Sequence, residues 1–293
     1  MDTGIAQQLE GIVFSGSNMP KLRKDAILSD GSLLLVDFGH SLGKVTNVPD
    51  QGSVITNIAD DTARRIIGSS ASTGLVVEAA LAVNQCRAEL TSKGGIHVIS
   101  AHGGQTADGY WRAAFNAQLL AYMASNPDHH YFVSLWHRPT RAALELSAPQ
   151  SYFHVGANSG TSSSGIFHFQ GGVPSPTDPM YIGYRYASNP SNDANASVVG
   201  MPRLGIVAPI ARRGTTPINV GFLGAGAWGA WGSPNRNKAA SVVLYRAYVE
   251  DLTVSGRSAE AVAEIDKELF ARAFSEGGKF YADTYSNPTA IVP

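Results

Sequence analysis

What most constrains this chain is a rhythm of short β-forming runs cut by turn residues. Residues 131–136, 152–155, 166–170, 181–186, 204–209 and 218–222 are rich in aromatic and β-branched side chains, and Gly, Pro, Asn or Ser separate them. Such runs fit a half-buried pleated surface, and their short spacing points to antiparallel strands stacked as a sandwich. With 31 glycines and 15 prolines the chain has turn residues enough to close many tight loops. At 293 residues and 44% hydrophobic it can bury one large core.

Two segments at the ends of this array carry most of the apolar signal. Ser32-Leu33-Leu34-Leu35-Val36-Asp37-Phe38 reads as a buried strand after a glycine turn. Residues 241–249 are rich in Val, Leu and Tyr, alternate imperfectly, and run on as extended chain through 250–254. Residues 113–124 read as a short mid-chain helix, with Ala113, Leu119, Leu120, Tyr122 and Met123 as its apolar side. Residues 75–90 fit helix and strand equally.

The C-terminal segment is a helix over 258–276. Ser258 suits the N-cap, Glu260 the positive first turn, and Gly277-Gly278 the stop. Val262, Ile265, Leu269, Phe270, Ala273 and Phe274 share one face, with Asp266 expected at its edge. Residues 1–30, with scattered glycines, the Val13-Phe14 anchor and basic Lys21, Arg23 and Lys24, read as an N-terminal docking arm, and 31–293 as the sandwich domain with its helix.

Charge excludes some functions. Charged residues make up 15% of the chain and the net charge is −1, so no field for nucleic acid or an acidic membrane is expected. The single cysteine, Cys86, allows no internal disulfide and reads as a small core residue. No secretory leader and no span of about 20 apolar residues is visible.

Four constellations bear on chemistry. Gly39-His40-Ser41-Leu42-Gly43 fits the nucleophile-elbow spacing and would make Ser41 the nucleophile of an esterase, but Pro49 and the β-branched residues after it make a poor helix start. His97, His102, His129 and His130 lack the spacing of metal ligands, so no metal is expected. Glu250-Asp251 are adjacent and face opposite ways on a strand, so no single strand supplies a glycosidase pair, which leaves only a pair from two distant strands. Within the glycine-rich residues 221–232, Trp228 and Trp231 offer a stacking platform for a carbohydrate, with the alternative that both are core or interface anchors.

Three segments together resemble a group of tailed-bacteriophage structural proteins with a concanavalin-A-like jelly roll. They are Gly31 to Asp37 with Val48-Pro49, Gly52 and Ile55-Thr56-Asn57-Ile58-Ala59; Asn126-Pro127 with Tyr131 to Arg138 and Thr140-Arg141; and Tyr245 to Leu252 with Ser255-Gly256-Arg257, Phe274, Gly277-Gly278, Phe280-Tyr281 and Asp283-Thr284. The resemblance implies a non-enzymatic virion component such as a tail, baseplate or capsid accessory protein, present in several copies or as a homo-oligomer, with other virion proteins as partners. It implies no cofactor and no catalytic residue.

Overall fold

The computed structural model describes residues 24–126, 128–144, 151–156, 165–170, 174–175, 178–182, 207–211, 218–228 and 235–292. Strand β14 (Ser241–Asp251) organises the first sheet. Along one edge it pairs with β7 (His130–Arg141) over its whole length. Its other edge is shared: β5 (Ile96–Ser100) takes Val242 to Leu244, and β1 (Ser32–Asp37) takes Arg246 to Glu250. β4 (Cys86–Leu90) and β12 (Val207–Ala211) complete six antiparallel strands.

A second antiparallel sheet has the order β2 (Val54–Ile55), β3 (Leu75–Ala80), β6 (Gly109–Ala114), β13 (Val220–Ala227), β8 (Ser151–Gly156) and β9 (Gly165–Gln170). Strands β10 (Pro174–Ser175) and β11 (Asp178–Ile182) form a separate pair. The protein is therefore mainly β and antiparallel, with few helices.

The main core lies between the sheets. Leu34, Val36, Val98, Val133, Leu135, Val242, Leu244 and Val249 of the first sheet meet Leu75, Val77, Trp111, Phe153, Val155 and Leu223 of the second. The other face of the first sheet is also covered. There Leu35, Phe132, Trp136, Val243, Tyr245 and Tyr248 pack against Val262, Phe270 and Ala273 of the C-terminal helix and against Phe280. This double burial explains the unbroken apolar run of β1 and the weak alternation of β14, because neither strand has a wet face. A bulge between Leu244 and Arg246 shifts the β14 register further.

The described residues also include helices α1 (Asp60–Ile67), α2 (Ala117–Ser125) and α4 (Ala259–Phe274) and the single turns α3 (Leu252–Ser255) and α5 (Pro288–Ile291). Ser258 caps α4 as expected, its Oγ accepting from the Ala261 N–H at 3.2 Å. Among the described residues no helix is long and apolar enough to cross a membrane.

Several expectations change. The mid-chain helix starts at Ala117, and Ala113 lies in β6, where Trp111 and Ala113 point inward while Tyr110 and Arg112 point out. Residues 252–254 are the turn α3 rather than extended strand, because the Asp251 carboxylate accepts from the Thr253 and Val254 N–H groups. The glycine-rich residues 220–227 form β13, an interior strand: a methyl at Gly224 would collide with Arg112 and the Trp111 carbonyl. At the end of the expected arm, Ile27, Leu28 and Ser29 are buried, the first two with the core under the C-terminal helix. Residues 1–23, including Val13 and Phe14, lie outside the described residues, as do the expected turns and strand ends at 183–206.

Candidate functional site

The residues singled out in the sequence do not gather into one site. Ser41 is exposed on a turn with no helix after it. The neighbouring His40 ring is engaged at both nitrogens, Nε2 donating to the Lys24 carbonyl and Nδ1 accepting from the Leu42 N–H, so it is no base for Ser41. Trp228 is buried, with the Arg112 guanidinium 3.9 Å from its ring centroid and Phe222 against it edge-on. Its face is thus covered, and Trp231 lies outside the described residues.

The histidines serve separate parts of the fold. His97 is buried, with Nδ1 2.8 Å from Glu89 Oε1 and Nε2 2.8 Å from Thr140 Oγ1. Burial holds it below the ordinary imidazole value, against the opposing pull of Glu89. His102 bonds the Ala239 carbonyl, and His129 bonds Asp251, which also accepts from the Tyr122 hydroxyl. No three His, Cys, Asp or Glu side chains converge among the described residues. Cys86 is free and buried, and burial pushes its thiol up to about 12.

The densest buried chemistry lies where β14 and β7 meet α4, around Arg246. Its guanidinium is bidentate to Asp25, with Nη1–Oδ2 and Nη2–Oδ1 both 3.0 Å, and Nη1 also donates to Asp37 Oδ2 at 2.5 Å. The Lys279 ammonium donates to the same Asp37 oxygen. The guanidinium carbon lies 4.7 Å from the Trp136 ring centroid, a cation–π stack inside the protein. Behind the indole, Asp266 accepts from Trp136 Nε1 at 3.2 Å and from Ser134 Oγ at 3.1 Å.

Sequence pattern placed Asp266 at the edge of the helix face; it is fully buried instead. It tolerates that position because both donors come from β7, directly beneath the helix.

These charges respond to their surroundings in opposite ways. Burial works against ionised Asp25, yet its hydrogen bonds and charge contact with Arg246 hold its carboxyl below the usual range. Burial likewise opposes charge on Arg246, and Asp25 and Asp37 reverse this, raising its pKa. Burial lowers Lys279 despite Asp37. For Asp266 burial dominates, and its carboxyl is pushed up to about 6.

The folded chain therefore holds the Asp266 proton to higher pH than the unfolded chain does. The stability linked to it is complete below about pH 4 and is lost as pH rises through 6, on the order of 2–3 kcal/mol in all. Asp266→Asn keeps an acceptor for Trp136 and Ser134 and cannot ionise. The variant should gain on the parent by that amount between pH 4 and 7 in urea melts. A stability difference independent of pH would rule this out.

Beside the cluster a cavity of about 320 Å³ opens to the surface. Trp136, Leu269 and Ala273 form its apolar wall, and Asp25, Arg246, Arg272 and Lys279 line the rest, closed by the Gly277-Gly278 turn.

A different feature lies at the margin of the second sheet. Val54 of β2 and Val76 of β3 sit directly opposite each other and are 65% and 43% exposed. Leu81 and Val83, in the connection after β3, are 40% and 63% exposed. Val54 and Val76 thus face water as a pair, and Leu81 and Val83 are exposed separately beyond the end of β3.

No protein family and no curated protein matches the sequence. Among solved structures the chain is similar to Trypanosoma rangeli sialidase in complex with 2-keto-3-deoxy-D-glycero-D-galacto-2,3-difluoro-nononic acid, at a TM-score of 0.38 and 9% identity, over 83% of this chain and 34% of that one. It is also similar to Trypanosoma rangeli sialidase in complex with 2,3-difluorosialic acid, a covalent intermediate, at 0.36 and 12%, over 84% and 34%. The chain thus spans about a third of the length of these structures. Both are enzymes, and the expectation of a chain without enzymatic activity does not stand beside them. At these TM-scores the likeness transfers neither an active site nor a substrate.

Proposed function

We propose that this chain is a structural component of a tailed-bacteriophage particle, acting through contacts with other particle proteins, and that its paired sheets are a concanavalin-A-like jelly roll. The observation that carries the reading is the exposed, directly opposed aliphatic pair Val54 and Val76. Isolated surface aliphatics are ordinary, but a directly opposed pair on adjacent strands is a surface suited to a protein partner. The chain's sparse charge, 15% of residues, leaves little repulsion to keep copies or partners apart.

Immunogold labelling of intact particles tests the placement, and the paired substitutions Val54→Lys and Val76→Glu, opposite charges on opposed positions, test the surface. Labelled particles are expected, together with a double variant whose melting is unchanged, since exposed positions shift stability by about 0.5 kcal/mol or less. That variant should fail to enter particles. Unlabelled particles, or normal incorporation of the variant, would overturn the reading.

A further inference from the structure

We propose that the cavity between α4 and the first sheet binds a small organic oxyanion, a carboxylate or phosphate carried on an aromatic or branched aliphatic body. The inference is independent of the particle role and rests on how the cavity is built. Its volume of about 320 Å³ is at the lower end for small-molecule sites, roughly 300–1,000 Å³. Its wall divides chemically. Trp136, Leu269 and Ala273 give an apolar side, and Arg246, Arg272 and Lys279 give a cationic side.

The sign of the field follows from where the counter-charges lie. Asp37 and Asp266 are buried behind the lining, and Asp25 spends both carboxylate oxygens on Arg246. The carboxylates therefore orient the cations without capping the cavity. Three cations and one already engaged carboxylate line the space. Arg246 keeps its Nε without a hydrogen-bond partner. Arg272 lies on the exposed side of α4, and its guanidinium makes no ion pair or hydrogen bond among the described residues. A guanidinium at the rim, with an ammonium nearby on Lys279, suits a bidentate oxyanion. The indole of Trp136, fully buried under Arg246 and Phe270, forms a rigid floor, and Leu269 is the partly exposed apolar side chain left to meet the ligand body.

The alternative, that Arg246 and its carboxylates serve only to join α4 to the sheet, accounts for Asp25, Asp37 and Lys279. It leaves no role for Arg272 or for the open volume. The two readings separate by titration calorimetry on the full chain with phenyl phosphate, benzoate, inorganic phosphate and benzylamine.

One-site saturation is expected with phenyl phosphate or benzoate, weaker binding with inorganic phosphate, and none with benzylamine. Arg272→Ala, at an exposed position, should leave the melt unchanged and weaken binding about 10-fold or more, the usual effect of losing a charge-assisted hydrogen bond. Arg272→Lys should recover part of it. Leu269→Trp, which fills the cavity, should abolish binding in a variant that still melts cooperatively. Absence of saturable binding by the parent chain overturns the proposal. So does binding that Arg272→Ala leaves intact, or equal binding of benzylamine.

Discussion

Arg246→Met is expected to destabilise the fold by about 3–5 kcal/mol, the range seen when one member of a buried ion pair is removed. Methionine fills much of the same volume, so the loss is electrostatic rather than a cavity. Asp25 and Asp37 would face each other with only Lys279 to offset them, and the Trp136 ring would lose the cation stacked on it. Ionised carboxylates left in a dry interior are costly, and that cost, more than the attraction lost, sets the size of the effect. Adding Asp25→Asn to Arg246→Met should restore much of the stability, because Asp37 then keeps Lys279 as its counter-charge and no carboxylate is left bare. Urea unfolding of the three proteins distinguishes these contributions. A single variant as stable as the parent would show that Arg246 is not held as a buried cation.

Phe270→Ala should cost about 3–5 kcal/mol, measured as a large drop in the melting temperature of the isolated chain. The ring is 7% exposed, packs edge-on against Trp136 at 5.3 Å and lies 4.5 Å from the Phe274 ring. It is the more deeply buried of the two α4 rings that meet the first sheet, Phe274 lying 5.1 Å from the Tyr245 ring. Phe274→Ala should cost less, because that ring is half-buried and its removal is partly refilled by solvent. The helix therefore belongs to its own chain. Had it been an intersubunit element, neither change would move the melt of the isolated chain.

The sequence was most readable where local pattern and global fold agree. Ser32 to Asp37, residues 131–136 and residues 241–249 lie in β1, β7 and β14, and the cap at Ser258 appeared where expected. It misled where tertiary context overrode composition. The strand expected at 218–222 runs on to Ala227 through Gly224 and Gly226, where neighbouring backbone and side chains come too close for a larger residue. Tyr110-Trp111-Arg112-Ala113 does alternate, but the alanines that follow favour helix and blurred its boundary with α2.

The cavity left a fainter trace: Arg246 inside an apolar strand, Asp37 at the end of a leucine run, Asp266 within an apolar helix face. Each is a charge where burial makes charge expensive, which marks a partner without naming it. The partners of Arg246 lie 209 and 221 residues away, and no local window connects them.

The position of β14 has a consequence for how the chain is made. Its three partners are β1, β5 and β7, all of which precede it, and it closes the sheet from residue 241 onward. During synthesis, β1 waits through more than two hundred residues for the strand that pairs with it. Until then its apolar side chains and those of β5 and β7 lack the strand that joins them. Pairing at such separation is slow, because the intervening chain must be gathered before any contact rewards it. Unpaired strands of this kind are open to neighbours of the same sort. The interval before β14 emerges is therefore when the nascent chain most needs shielding, and productive folding is a race between the arrival of one strand and the first encounter with another chain.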